Sequence, residues 1–180
     1  MAVTKPTLPQ GVTSLSDLLS QIGKVDISNI YAGVGKLSSA EITTLTTDKT
    51  SLETGLASGY EEIGELADKS LKMESKSEKL KTRHYQIEGK RTNTVSVTIV
   101  GMSEEKKNWL EEQSEKMTEL TLVGVTDKKD AVVVFNGMRW TVDWSGESDG
   151  LYTQIITTEF TGSTKNKIIF VRGIGDVSGG

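Results

Sequence analysis

Residues 92–100, Thr-Asn-Thr-Val-Ser-Val-Thr-Ile-Val, alternate polar and apolar almost without a slip. Successive side chains of an extended chain point to opposite faces, so Val95, Val97 and Ile99 share one side and hydroxyls share the other. Nine such residues specify a half-buried strand and leave no phase for a helix. A strand of this kind needs partners, and the C-terminal half supplies them. Strands are expected at residues 118–125, where Leu120 and Leu122 alternate, and at 131–135, 138–144, 151–160 and 168–171. The polar residues 127–130, the glycine-bearing stretch 146–150 and Asn136-Gly137 read as turns, the last as a two-residue hairpin. Composition agrees: 18 Ser and 22 Thr among 180 residues, with 18 Gly and only 2 Pro, favour strands and turns over a helical bundle.

One helix is expected, over about residues 103–115. Ser103 suits the N-cap, Glu104 and Glu105 suit the positive end of the helix dipole, and Trp109, Gln113 and Met117 recur at i, i+4, i+8 with Leu110 beside them. Lys106, Lys107, Glu111 and Glu112 then form the solvated face. The buried set expected from this pattern is Val95, Val97, Ile99, Trp109, Val132, Val134 and Trp140. The fold class is mainly β: an antiparallel β-sandwich or barrel with one flanking α-helix and a long N-terminal arm.

Three regions are expected along the chain. Residues 1–48 form an extended arm with a short amphipathic helix at Leu15, Leu18, Leu19 and Ile22. Residues 49–172 form the β domain, and residues 173–180 a fraying tail. The arm's Ile22, Val25, Ile27, Ile30 and Tyr31 are too apolar for a linker, so another surface is expected to order it. Between Lys69 and Arg91 stand eight basic residues, on a charged hairpin whose tip is expected near residues 75–77. Its lysines would guard strand edges and make salt-sensitive contacts with acidic neighbours.

Catalysis finds little material here. No cysteine is present and His84 is the one histidine, so thiolate and His-rich metal sites are excluded. His84 lacks an accompanying nucleophile constellation. Gly33-Val34-Gly35-Lys36 fails as a phosphate loop, because position 30 is Ile and Leu37 follows the lysine; turn glycines are the better reading. Asp143, Glu147 and Asp149 lack calcium-loop spacing and read as a solvated acidic turn. The longest apolar run, residues 131–135, cannot span a bilayer, and no secretory signal is visible at the start. A net charge of −4 argues against binding nucleic acid by phosphate neutralisation. No enzyme activity, cofactor, metal or membrane partner is expected.

The stretch from Tyr60 through Ile63-Gly64 to the charged Lys69-Ser70-Leu71-Lys72-Met73, then a charged hairpin, the Val95–Ile99 strand, the Ser103-Glu104-Glu105 helix start and the strands around Phe135-Asn136-Gly137-Met138-Arg139-Trp140, resembles phage tail tube (major tail) proteins in layout. The resemblance covers roughly residues 60–170. It implies a structural virion protein, made in the host cytoplasm, that is expected to assemble as stacked hexameric rings forming the tube through which DNA passes without specific binding. It also implies tape measure, tail terminator and baseplate or tip proteins as partners. A head decoration or head–tail adaptor protein is the alternative. Apolar and basic groups suited to inter-subunit contact are Leu15, Leu18, Ile22, Ile27, Ile30, Tyr31, Lys72, Lys76, Lys79 and Lys81.

Overall fold

The computed structural model describes residues 15–22, 25–81, 83 and 86–175. In chain order the elements are α1 (Leu15–Ile22), β1 (Ile27–Val34), α2 (Ser39–Leu45), α3 (Lys49–Gly59), β2 (Glu61–Leu66), β3 (Lys72–Lys81), β4 (Gln86–Met102), α4 (Glu104–Glu115), β5 (Glu119–Thr126), β6 (Ala131–Arg139), β7 (Thr141–Ser148), β8 (Leu151–Thr161) and β9 (Ile168–Arg172). The nine strands form one antiparallel sheet in the order β7-β8-β4-β2-β1-β5-β6-β9, with β3 also paired to β4.

The alternating segment lies within β4, whose 17 residues extend about 56 Å at the usual strand rise. Such a strand accommodates several partners. Along one edge β8 pairs from Thr92 to Met102. Along the other, β3 pairs from Gln86 to Ser96 and β2 takes over at Ile99 and Val100.

β6 lies next to one end of the sheet order and β7 at the other, yet only Trp140 separates them in sequence. The sheet therefore folds over on itself, and the chain changes halves at this residue, as strands do at the corners of packed sheets. Trp140 is buried, its ring edge-on to Phe135 at 5.9 Å, and the Thr158 hydroxyl donates to the Arg139 carbonyl at 2.7 Å. β7 and β9 are not paired to each other among the described residues, so the sheet is not a closed barrel.

Between the halves Val95, Val97 and Ile99 of β4 join Leu120 and Leu122 of β5, Phe135 of β6, Ile156 of β8 and Leu110 of α4 in one core. The far face of β5 and β6 carries a second core, in which Val123, Val125, Val132 and Val134 meet Leu45, Leu52 and Leu56 of α2 and α3. Burial on both faces explains the unbroken apolar run at 131–135. Helix α4 is held to the sheet by a polar clamp as well: the buried Gln154 donates to Glu111 at 2.8 Å, Lys107 reaches Glu111 at 3.0 Å, and Lys107 also sits over the Tyr152 ring.

Several expectations change. The arm boundary at residue 48 does not follow the core: β1 lies inside the sheet between β2 and β5, and α1 buries Leu18 and Ile22 in the first core. Two helices replace the Ser/Thr-rich stretch. Ser38 and Glu41 close a capping box at α2, and Asp48 caps α3. Asn136-Gly137 does not turn a hairpin. It forms a bulge inside β6, where residues 136 and 137 face the single Thr121 of β5. Residues 75–77 are mid-strand in β3 rather than a tip. Helix α4 begins after its Ser103 cap as expected, but Met117 lies beyond the helix and exposed, Trp109 is only half-buried, and Lys107 and Glu111 are drawn toward the sheet. Of the tail, Ile174 is buried and donates its amide to Asp130, so residues 173–175 are held; residues 176–180 lie outside the described part.

Gly64 in β2 stands at φ +153, and a Cβ there would sit 2.5 Å from the Val100 carbonyl oxygen. Backbone cannot yield as a flexible side chain can. Gly64→Ala should therefore cost about 3 kcal/mol and lower the melting temperature by about 6–12 °C in calorimetry. A loss under 1 °C would show that β2 and β4 separate without cost.

Candidate assembly surface

One half of the folded sheet is a four-stranded antiparallel unit, β7-β8-β4-β3. Among the described strands β7 pairs only with β8, and β3 only with β4. Among the described residues neither outer strand has a strand along its second edge, the arrangement that invites another chain, although α1 packs against β3.

The two edges differ in sign. β3, Lys-Met-Glu-Ser-Lys-Ser-Glu-Lys-Leu-Lys, carries four lysines against two glutamates; Lys72, Lys76 and Lys81 are exposed. β7, Thr-Val-Asp-Trp-Ser-Gly-Glu-Ser, has exposed Asp143 and Glu147 and no basic residue. Asp149 follows in the turn to β8. Asp143, Glu147 and Asp149, expected in one loop, are thus divided between an edge strand and its turn. Among the described residues no group of three or more His, Cys, Asp or Glu gathers as a metal site.

Register fixes what the outer face of this half presents. Val95, Val97 and Ile99 of β4 point inward with Met73, Ile156 and Gln154. The residues between them point outward in rows across the strands. Lys72, Ser96, Thr157 and Thr141 make one row; Glu74, Thr94 and Glu159 another; Lys76, Thr92 and Thr161 a third. The Thr157 and Ser96 hydroxyls are 3.3 Å apart, and Lys76 lies 3.6 Å from Glu74. Part of the chain's Ser/Thr excess is therefore a hydroxyl-covered sheet face with charges of both signs.

Beyond Thr92, where the pairing with β8 ends, β3 and β4 continue as a two-stranded projection to Lys81 and Gln86. Arg83, Lys90 and Arg91 are exposed on it with Lys81. His84 lies outside the described residues.

The proposed contact residues fall in different surroundings. Leu18, Ile22, Ile27 and Ile30 are buried in the chain's own first core, because α1 and β1 are parts of the domain. Tyr31 is half-buried against the second core; burial raises its phenol pKa, the nearby Glu62 charge adds to this and Lys129 opposes it. Lys72, Lys76 and Lys81 remain available on β3, while the side chains of Leu15 and Lys79 lie outside the described part. The sequence reading missed the exposed Trp144 and Leu151 on the β7–β8 hairpin and the exposed Val34 at the end of β1. Strand alternation places Trp144 on the inward side, opposite Gln154, but the free edge leaves it 63 % exposed.

No family model and no curated protein matches the chain. Among solved structures, it is similar to a chain in the virion of a native gene transfer agent particle, with 12 % identity and a TM-score of 0.38 over 81 % of this chain and 95 % of that one. It is also similar to a chain in the tail of an empty gene transfer agent particle of C6 symmetry, with 11 % identity and a TM-score of 0.38 over 77 % of this chain and 95 % of that one.

Proposed function

We propose that this chain is a non-enzymatic structural subunit that joins copies of itself through β3 and β7 into closed rings, and that the rings stack as the tail tube of a phage-like particle. The observation that carries the reading is the pair of edges of opposite charge, left without a strand partner among the described residues, on one four-stranded half-sheet. Strand direction supports it. With four antiparallel strands, β3 runs opposite to β7. A copy related by rotation about the ring axis therefore offers its β7 antiparallel to β3, and the up-down alternation passes from copy to copy unbroken. Such a head-to-tail contact closes when the rotation divides the circle, and closure removes both edges.

In this ring the hydroxyl face lines the passage. Lys72 and Lys76 are offset there by Glu74, Asp143 and Glu159. Few phosphates would be neutralised, little counterion release would follow, and DNA would pass without adhering. The basic projection at Lys81, Arg83, Lys90 and Arg91 would reach an acidic surface of the next ring, with Lys79 on the same strand. Tape measure, terminator and tip proteins are the partners that the resemblance implies.

Negative-stain electron microscopy of the purified full chain, with sedimentation at rising concentration, tests the proposal. Rings with a central hole or tubes are expected, shortening as salt screens the projection. A monodisperse monomer at every concentration and salt would overturn it.

A further inference from the structure

A groove of about 720 Å³ opens between the end of β1, the start of β2, the end of α3 and the first turns of α4. Its walls include Val34, Tyr60 and Trp109, with Glu61, Glu105 and Lys106 around them. Val34 is 67 % exposed and Trp109 half-buried, so apolar surface faces water without a partner from this part of the chain. Tyr60 is set against the strand because Gly33 has no side chain; a Cβ at Gly33 would lie 2.7 Å from its ring. Burial raises the Tyr60 phenol pKa, with the Glu41 charge adding to it, so the ring stays neutral. Lys106 lies 3.9 Å from Glu61, and Glu104 and Glu105 are exposed beside it, which leaves the rim net acidic.

A groove with two aromatic side chains and an acidic rim suits a proline-rich extended segment with an adjacent cation. Polyproline II has three residues per turn, so prolines three apart present one edge, and their fixed φ lowers the entropy lost on docking. Both prolines of the chain stand at this spacing, in Lys5-Pro6-Thr7-Leu8-Pro9. Residues 1–14 precede the described part and hold one lysine and no acidic residue. We propose that the segment Lys5–Pro9 docks in this groove, Pro6 and Pro9 against Tyr60 and Trp109, and Lys5 toward Glu105. Self-assembly is not required, since the segment can come from the same chain or from a neighbour.

The test uses the full chain with a benzophenone amino acid replacing Leu8, irradiated and mapped by mass spectrometry. Cross-links to peptides containing Val34, Tyr60 or Trp109 are expected. Mixing isotopically heavy and light protein assigns the donor: hetero-isotopic products mean a neighbour and homo-isotopic products the same chain, and either supports docking. The Pro6→Ala/Pro9→Ala variant and Glu105→Lys, each at an exposed or undescribed position and checked by melting to remain folded, should lower the groove yield about fivefold. Cross-links confined to other surfaces, or a groove yield unchanged in both variants, would overturn the proposal. Neither outcome bears on ring formation, which microscopy of the unmodified chain reads separately.

Discussion

Asn136→Leu should lose about 3 kcal/mol of stability, a fall of roughly 6–12 °C in melting temperature, although it replaces a polar residue in a core by an apolar one of similar size. Asn136 is 2 % exposed. Its Oδ1 accepts the Leu37 amide at 2.8 Å, and its Nδ2 donates to the Leu37 carbonyl at 2.9 Å. Around it the Thr121 hydroxyl donates to the Gly35 carbonyl at 2.8 Å and accepts the Gly137 amide at 3.0 Å. The bulge in β6 thus ties the segment after β1 to β5 and β6. Leucine would take the side-chain partner from the half-buried Leu37 amide and carbonyl and from the buried Thr121 hydroxyl beside them, and that loss outweighs the apolar gain. Urea unfolding should show a lower midpoint at an unchanged slope. A loss below about 1 kcal/mol would mean that the loop finds other partners for Leu37.

The same dipeptide shows where reading the sequence succeeds and fails. Asn-Gly supplies a residue at positive φ, which a tight hairpin needs and a bulge also needs; Gly137 stands at φ +58. Only the partners at residues 35–37, about a hundred positions away, decide between them. β1 was obscured for a related reason. Ile27 and Ile30 are both buried but three residues apart, a spacing that suits neither strand nor paired faces until the irregularities between Ile27 and Asn29 and between Ile30 and Tyr31 shift the phase. β4 and α4 were legible because their signals are local: strict alternation in one, the Ser103 cap with Glu104 and Glu105 in the other. The capping residues Ser38 and Asp48 were equally local, yet a run of threonines masked α2, and two glycines with weak patterning masked α3. For the assembly surface, the charge of β3 could be read directly, but that β3 and β7 bound the same half-sheet is a property of topology alone.

Charge reversal of one edge should abolish assembly. Lys72→Glu/Lys76→Glu makes β3 acidic, so it would repel the β7 edge of an identical copy; Asp143→Lys/Glu147→Lys makes β7 basic, so it would repel β3. All four positions are exposed, and substitutions there should leave each monomer folded, within about 1 kcal/mol of the parent. Like charges set along a joined edge cost several kcal/mol over the contact, and a ring multiplies that cost around its circumference. Each variant alone is expected to sediment as a monomer where the parent forms rings.

The decisive measurement mixes these two inactive variants in equal amounts and follows their sedimentation. In the mixture, acidic β3 of the first meets basic β7 of the second, and unaltered β3 of the second meets unaltered β7 of the first, so every junction in an alternating ring is complementary. Rings or tubes that appear only in the mixture are the predicted result. If the variants assemble separately as well as the parent does, or if the mixture stays monomeric while the parent forms rings, the β3–β7 junction is not what joins the subunits.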